Sequence, residues 1–180
     1  MANDLSTNEL AAQRGARTAS LDAVDRQILE LLQADGRMPN AEIARRLGMA
    51  PSAIFDRIRK LEERRIITGY EARVDARAIG LGLTAFIFVR ADDYMASARA
   101  AEELGRIPDV LEVHHIAGED CYLVKVRVAD TEALGTLLRE RIGKLPSVRS
   151  TRTTIVLGTL KETYHLPTGG SATTNGGAPR

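Results

Sequence analysis

The sequence predicts an α+β protein: an N-terminal winged helix-turn-helix followed by a C-terminal ferredoxin-like βαββαβ domain. Two observations predict this architecture. Residues 40–70 combine a short helix pattern, a tight turn, a basic helix pattern and a strand pattern, the order of a helix-turn-helix with a wing. Residues 83–157 then alternate strand and helix patterns in the order βαββαβ. A chain of 180 residues has room for two such domains.

Composition sets the broad class. The chain is 44% hydrophobic and 27% charged, which is typical of globular proteins. No apolar run is long enough to span a bilayer, and the N-terminus has no apolar signal core, so we expect no membrane association. The single cysteine, Cys121, excludes an internal disulfide framework. These features favour a soluble cytoplasmic protein.

The N-terminal domain is expected to span residues 21–74. Residues 1–20 are polar without a sustained apolar period and are expected to form a disordered arm. Residues 21–35 form the first predicted helix, with Asp22 as N-cap and an apolar stripe at Val24, Ile28, Leu31 and Leu32. Gly36 ends this helix. Asn40 is expected to cap the second helix, which Gly48 ends.

The third helix is the predicted DNA-reading element. It begins at Pro51, a residue suited to the first helical position, and directs Ile54, Ile58 and Leu61 inward. Base edges are read from the N-terminal part of such a helix. The candidate base readers are therefore Ser52, Phe55, Asp56 and Arg59, and the candidate phosphate contacts are Arg45, Arg46, Arg57, Lys60, Arg64 and Arg65.

The distribution of charge supports this interpretation, although the net charge is only +1. Residues 36–70 carry eight Lys/Arg against four Asp/Glu, whereas residues 81–166 carry eleven against twelve. The alternative is an amphipathic helix with a solvated charged face. Asp56 lies three and four residues before Arg59 and Lys60, the spacings of ordinary helix ion pairs.

A predicted strand over residues 66–74 and a linker over residues 75–82 lead into the second domain, residues 83–166. Its predicted strands are 83–90, 110–117, 121–128 and 148–157, and its predicted helices are 94–107 and 131–145. In the third strand, Tyr122, Val124, Val126 and Val128 alternate onto one face. Helices cover one face of such a sheet. Ala85, Ile87 and Val89, or the residues that alternate with them, are apolar candidates for the other face, which favours dimerisation through the sheet. Residues 167–180 are rich in Gly, Thr, Ala and Pro and are expected to form a flexible tail.

Five segments resemble the Lrp/AsnC family, the feast/famine regulatory proteins. They are LDAVDRQILELLQADGR (21–37), RIRKLEERRIITGY (57–70), IAGEDCYLVKVRV (116–128), LPSVRSTRT (145–153) and LKET (160–163). The resemblance implies a transcriptional regulator that is not an enzyme. It implies duplex DNA with pseudo-palindromic sites as one partner and an amino acid or related metabolite as effector. It also implies dimers, formed through the linking strand and the C-terminal sheets, that commonly assemble further to octamers.

The reading helix departs from the family pattern at four positions. Ala50 stands where the family usually has a capping Ser or Thr. Arg65 stands where Gly usually ends the helix; a left-handed conformation there would cost about 1–2 kcal/mol, and the alternative is a helix end of another geometry. Phe55 and Asp56 replace a small polar and a basic residue. The DNA sequence that the family reads is therefore not transferable to this chain.

The effector site implied by the resemblance comprises Gly118, Glu119, Asp120, Cys121, Thr151 and Thr153. Cys121 stands where the family has aspartate, and Asp120 lies one place earlier. Side chains alternate along a strand, so Asp120 and Cys121 should point to opposite sides. Asp120 or Glu119 would then have to replace the family acid, or the ligand differs. Cys121 is either a reactive thiol or a buried apolar residue, and Thr151 and Thr153 suit both an effector interface and an ordinary strand.

Other functions find weaker support. His114 and His115 are adjacent on a strand and cannot bind one ion together, so neither a metal nor another cofactor is expected. Sirohaem decarboxylases are similar in build, but they tend to have an Ile-Arg-Arg-Ile-Gly run and sheet-domain tryptophan, and this chain has no Trp. An effector-independent architectural DNA-binding protein is the third alternative. It would be favoured if no amino acid changed the melting temperature, because a ligand that binds the native state must raise it.

Overall fold

The computed structural model describes residues 20–91 and 97–169. They form two compact units. The first comprises residues 20–72 together with residues 163–169, and the second is Arg73–Glu162. None of the described helices is both long enough and apolar enough to cross a membrane.

Three helices build the first unit: α1 (Ala23–Ala34), α2 (Asn40–Leu47) and α3 (Pro51–Glu63). Each turns one apolar stripe inward, as the spacing of its hydrophobic residues predicts. The buried core consists of Ile28, Ile43, Ala44, Ile54, Ile58 and Leu61. The inward stripe predicted for α3, Ile54, Ile58 and Leu61, is thereby confirmed.

The helix ends follow the local sequence with one exception. The Asp22 carboxylate accepts a hydrogen bond of 2.7 Å from the Asp25 backbone N–H, as a helix N-cap does. Gly48 ends α2 with a φ of 65°, a conformation natural to glycine. Asn40 does not cap α2, because Pro39 occupies the cap position and Asn40 is the first helical residue. The expected cap at Asn40 is therefore wrong.

The α3 helix has two unusual ends. Ala50 occupies the cap position and provides no side-chain hydrogen bond to it. Beyond the C-terminus, Arg65 has a φ of 53°, and it is the only non-glycine among the described residues with a positive φ. Of the two geometries left open for this helix end, the structure shows the left-handed one at Arg65, which strains a residue that carries a Cβ.

The wing strand predicted over residues 66–74 is absent. This stretch contains turns and extended chain without strand pairing. A strand requires a neighbouring strand to receive its backbone hydrogen bonds, and no described segment pairs with this one. Instead, the Tyr70 hydroxyl donates a 3.0 Å hydrogen bond to Glu62. The Tyr70 ring also lies beside Gly36, 3.5 Å from the position that a Cβ at Gly36 would occupy, which is an ordinary van der Waals distance.

The second unit contains one four-stranded antiparallel sheet. Its strands are β1 (Leu83–Ala91), β2 (Val110–His115), β3 (Tyr122–Val128) and β4 (Val148–Ile155), in the spatial order β2-β3-β1-β4. The central strands β1 and β3 pair from Leu83 opposite Val128 to Val89 opposite Tyr122. This order and the two connecting helices confirm the ferredoxin-like fold.

Helices cover one face of this sheet. They are α4 (Ser97–Gly105) and α5, which is α-helical over Thr131–Thr136, π-helical over Leu137–Arg141 and 3-10 over Ile142–Lys144. The core beneath them includes Ala85, Ile87, Val89, Tyr122, Val124, Val126 and Val128. Alternation along the strands then places Phe86, Phe88, Leu123 and Lys125 on the opposite face, here called the open face. The predicted start of α4, residues 94–96, lies outside the described residues.

The C-terminal tail begins differently from expectation. Leu166 and Thr168 make hydrogen bonds to side chains of α1. The expectation of a flexible tail from residue 167 is therefore wrong for its described part, residues 167–169. Residues 170–180, like the arm over residues 1–19, lie outside the described part of the chain.

Candidate DNA-binding and effector sites

The outer face of α3 presents all four candidate base readers to solvent. Ser52, Asp56 and Arg59 are exposed, and Phe55 is 55% exposed although it is a large apolar side chain. Burial of Ile54, Ile58 and Leu61 fixes this orientation: Ser52, Asp56 and Arg59 lie across the helix from the core, and Phe55 lies on its flank. The helix therefore offers an aromatic ring, a hydroxyl, a carboxylate and a guanidinium on one accessible surface.

Arg59 makes only loose ion pairs on this surface. Its guanidinium lies 3.9 Å from the Asp56 carboxylate and 3.8 Å from the Glu63 carboxylate. Both distances exceed a hydrogen bond, and exposed pairs of this kind contribute little to stability. The guanidinium can therefore turn to a ligand at small energetic cost.

Arg57 has a different environment from Arg59, although the two are neighbours on α3. Its Nη1 atom donates to the Asp22 carboxylate at 2.6 Å and to the Asp25 carboxylate at 2.7 Å. Asp25 is only 8% exposed. The Arg57 guanidinium thus joins α3 to the first turn of α1. It also contributes to lowering the pKa of Asp22, after the larger effect of the Asp25 backbone N–H.

The remaining candidate phosphate contacts lie at the surface. Arg45 and Arg46 both donate to Glu42, at 2.7–2.8 Å. The hydrogen bonds from Arg45, which have the larger effect, and from Arg46 lower the pKa of Glu42 to about 2. Glu42 therefore stays ionised at any physiological pH and partly neutralises the two arginines. The exposed basic residues near the end of α3 are Lys60, Arg64 and Arg65.

A shallow concavity of about 250 Å³ adjoins α3. Its lining includes Phe55, Arg59, Glu62 and Tyr70. Partial burial, together with the hydrogen bond to Glu62, raises the pKa of the Tyr70 hydroxyl to about 12. Tyr70 therefore remains a neutral donor, and it adds a second aromatic ring beside Phe55. The helical pattern of α3 does not predict this residue's place.

The candidate effector loop, Gly118–Cys121, lies where β2 leads into β3. Gly118 has a φ of 138°, which favours glycine at this turn. Arg90 donates to the Glu119 backbone carbonyl at 3.1 Å and lies 3.3 Å from its carboxylate. Arg152 donates to the Asp120 carboxylate at 2.9 Å. Each acid of the loop therefore has an arginine of the same domain as its partner.

The candidate effector residues lie on two faces of the sheet. Arg152, the partner of Asp120, is opposite Phe88 in the strand register and sits 4.1 Å from the centre of its ring, on the open face. Cys121 packs against the helix-covered core. Asp120 and Cys121 thus diverge, as predicted. Thr151 and Thr153 pair with the buried Val89 and Ile87 and share their face. Within a single chain, the candidate effector residues therefore do not form one pocket.

The open face also carries a charge cluster that sequence reasoning missed. Lys125, only 8% exposed, donates to Glu112 at 3.0 Å and to Glu162. Arg127 adds a contact of 3.3 Å to Glu162. The hydrogen bonds of Lys125 raise its pKa, and the one to Glu162 has a larger effect than the one to Glu112. Burial of the ammonium group opposes this shift but does not cancel it. Alternation along β3 placed Lys125 on the open face, but nothing in the sequence pointed to Glu162 as its partner.

The histidines make contacts within the sheet domain. His114 forms a 3.1 Å hydrogen bond with Glu112, and the His115 ring lies 5.4 Å from the Tyr122 ring. Within residues 20–91 and 97–169, no three His, Cys, Asp or Glu side chains are grouped closely enough to hold a metal ion.

Comparisons with known proteins agree with this geometry. Residues 21–62 match the AsnC-type helix-turn-helix domain, and residues 84–166 match the Lrp/AsnC ligand binding domain. The HTH-type transcriptional regulator FL11 of Pyrococcus horikoshii is 40% identical over 147 residues, which are 82% of this chain and 96% of that protein.

Two similar solved structures contain an amino acid. The feast or famine regulatory protein of Mycobacterium tuberculosis, complexed with L-methionine, is 38% identical with a TM-score of 0.76, and the match covers 82% of this chain and 99% of that one. A Neisseria meningitidis transcriptional regulator in complex with L-methionine is 30% identical with a TM-score of 0.78, covering 82% and 97%. The chain described here belongs to the Lrp/AsnC family of transcriptional regulators.

Proposed function

We propose that this protein regulates transcription by placing α3 in the major groove of duplex DNA and by binding an amino acid in its sheet domain. It acts in the cytoplasm as a regulator rather than an enzyme. The observation that carries the DNA-binding part is the contrast on α3. Arg57 is held within the domain by Asp22 and Asp25, whereas the Arg59 guanidinium is exposed and only loosely paired.

The proposed division of labour on this surface follows from chemistry. A guanidinium donates two parallel hydrogen bonds to guanine, and a carboxylate accepts from the cytosine amino group. Arg59 and Asp56 supply these two groups, Phe55 offers a ring for a thymine methyl, and Ser52 suits either kind of base. Arg45, Arg46, Lys60, Arg64 and Arg65 are assigned to phosphates. Arg57 is reassigned to supporting the helix.

The proposed effector is an amino acid such as L-methionine, which the two similar structures contain. A carboxylate is needed to pair with the effector's ammonium group. Cys121 does not provide one, so Asp120 is the proposed partner. Because Arg152 already pairs with Asp120, effector binding requires that this 2.9 Å contact open or admit the ligand carboxylate beside it.

The proposed assembly is at least a dimer. The open face exposes part of Phe86 and Phe88, and Leu157 and Leu160 are almost fully exposed. Exposed apolar side chains of this size favour association with a second copy of the chain. A two-fold dimer presents two α3 helices, which suits pseudo-palindromic DNA sites.

The proposal is tested by fluorescence anisotropy with a labelled DNA fragment from upstream of the protein's own gene. We expect binding that is stronger than to a scrambled fragment and that shifts with L-methionine. Equal affinity for the two fragments would contradict sequence-specific regulation. In a thermal-shift screen, failure of every amino acid to raise the melting temperature would favour the effector-independent architectural function.

A further inference from the structure

Helix α1 carries an ordered contact that neither DNA reading nor effector binding uses. The contact involves residues 163–169, here called the C-terminal segment, which belong to the same compact unit as α1. The family match ends at residue 166, so the final part of this contact lies beyond the family's ligand binding domain. Arg26, Glu30 and Gln33 are spaced i, i+4 and i+7 and form one stripe along the helix.

The side-chain amide of Gln33 forms hydrogen bonds with both the N–H and the carbonyl of one residue of the C-terminal segment. Its side-chain oxygen accepts from the Leu166 N–H at 2.6 Å, and its side-chain nitrogen donates to the Leu166 carbonyl at 3.0 Å. A primary amide satisfies a donor and an acceptor of one residue in this way, as a neighbouring strand would. Such pairing recognises an extended peptide through its backbone.

Two further contacts fix the position of the segment along the stripe. Arg26 donates to the Thr168 carbonyl at 2.5 Å. The Thr168 hydroxyl lies 3.0 Å from the Glu30 carboxylate, to which it donates. The chain then turns at Gly169, whose φ of 72° strains any residue with a Cβ. Backbone pairing at Leu166 and side-chain pairing at Thr168 together define the register.

We propose that the Arg26–Glu30–Gln33 stripe is a peptide-docking surface, and that the chain's own C-terminal segment is its occupant. Five hydrogen-bonding contacts in the described residues carry this assignment, including a long one of 3.5 Å from the Thr168 hydroxyl to the Arg26 carbonyl. Two of the five involve charged side chains, which make the stronger hydrogen bonds. Docking has a consequence for α3. Arg26 binds the segment, and its neighbour Asp25 accepts a hydrogen bond from Arg57 of α3. A docked segment therefore stabilises the first turn of α1, to which α3 is bound.

Gln33→Glu is the central variant, because it keeps the size of the side chain but sets a carboxylate oxygen against the Leu166 carbonyl. We expect it to lower the melting temperature of the full chain by about 2–4 °C, the shift that the loss of one hydrogen bond causes in a chain of this length. Gln27→Glu is the matched control. It makes the same change at an exposed position of α1 and should leave the melting temperature nearly unchanged.

A chain that stops after Glu162 completes the test. Docking predicts that this truncation lowers the melting temperature and that Gln33→Glu then has no further effect. If Gln33→Glu lowers the melting temperature equally in both chains, Gln33 acts within α1 and the proposal is overturned. Should the truncated chain not fold, Thr168→Ala in the full chain replaces it. The same non-additivity with Gln33→Glu supports docking, and full additivity contradicts it.

A synthetic peptide of residues 163–170 tests the surface directly. Added to the truncated chain at several millimolar, it should restore part of the lost melting temperature, because a covalent link supplies an effective concentration of about 1 mM. It should not do so for the truncated chain with Gln33→Glu. Equal stabilisation of both would overturn the assigned surface. A stabilisation by the segment that vanishes on hundredfold dilution of the full chain would assign the segment to a second copy instead.

Discussion

The two candidate sites of this protein differ in how their charges are arranged before any ligand arrives. On α3, Arg59 has partners no closer than 3.8 Å, and the neighbouring Phe55 is exposed. In the effector loop, Asp120 and Glu119 already contact Arg152 and Arg90 at 2.9 and 3.3 Å. The proposed DNA-binding surface can therefore accept a ligand without breaking a close ion pair, whereas an effector at the proposed loop would have to exchange internal contacts for external ones. Such an exchange allows ligand binding to change a conformation.

The largest expected effect comes from removing the arginine that supports the DNA-binding surface. Arg57→Ala leaves the carboxylates of Asp22 and Asp25 without their cation, and Asp25 is largely buried. We expect a loss of about 2 kcal/mol in the free energy of unfolding, below the figure for a fully buried pair because Arg57 is part-exposed. Urea denaturation measures it. Arg59→Ala, the control on the same helix, should change stability by less than about 0.5 kcal/mol. Equal effects would remove the distinction between the two arginines.

The next largest expected effect is that of Arg65→Gly, which should stabilise the fold rather than destabilise it. Arg65 has a φ of 53°, so glycine relieves strain of about 1–2 kcal/mol. The free energy of unfolding should rise by nearly that amount, while DNA affinity should fall because a basic side chain is lost. Denaturation and anisotropy are measured on the same preparation. An unchanged stability would show that the end of α3 tolerates this conformation without strain.

Arg152→Ala tests the effector loop, and its expected effect is smaller. It frees Asp120 from an exposed ion pair, a contact worth about 0.2–1 kcal/mol. If Asp120 binds the effector's ammonium group, L-methionine should bind up to about fivefold more tightly by titration calorimetry. Arg106→Ala, which removes another exposed ion pair of the sheet domain, is the control. Weaker binding in Arg152→Ala alone would assign Arg152 to the ligand's carboxylate instead.

The smallest expected effect is on the acid side of the pH–stability curve. The Asp25 backbone N–H and the Arg57 guanidinium lower the pKa of Asp22 in the folded protein. A lowered folded-state pKa stabilises the fold fully above the ordinary aspartate pKa, and this contribution is lost as the pH falls through the folded value. Asp22→Asn should therefore flatten the loss of stability below about pH 4. Asp56→Asn, which removes an exposed carboxylate of α3, is the control, and an identical curve for both would contradict the role of Asp22.

Local chemistry made much of this structure predictable. The cap at Asp22, the stop at Gly48 and the start at Pro51 depend on neighbours in the sequence, and all three are as expected. The alternation of Tyr122, Val124, Val126 and Val128 likewise predicted β3 and its buried face. Strand β1 is apolar on both faces, so its pattern left open which face the helices cover. Patterns of this kind are set by the helix and strand periods themselves.

The errors come from contacts between residues distant in the sequence. The ion pair of Arg57 with Asp22, 35 residues away, was not expected, although the phosphate contact predicted for Arg57 stays a prediction. Thr168 was expected in a flexible tail, but it contacts Glu30, 138 residues away. The strand expected over residues 66–74 has suitable residues but no neighbouring strand among those described. Composition does not reveal such pairings, because each is decided by the folded chain.

The affinity of Arg59→Ala for DNA tests the central claim most directly. The claim is that α3 reads bases through Arg59, which is exposed and loosely paired, while Arg57 supports the helix. Anisotropy at low salt with the protein's own upstream fragment should show a loss of about tenfold or more for Arg59→Ala, with an unchanged fold and with discrimination against the scrambled fragment reduced. Unchanged affinity and unchanged discrimination would contradict the claim.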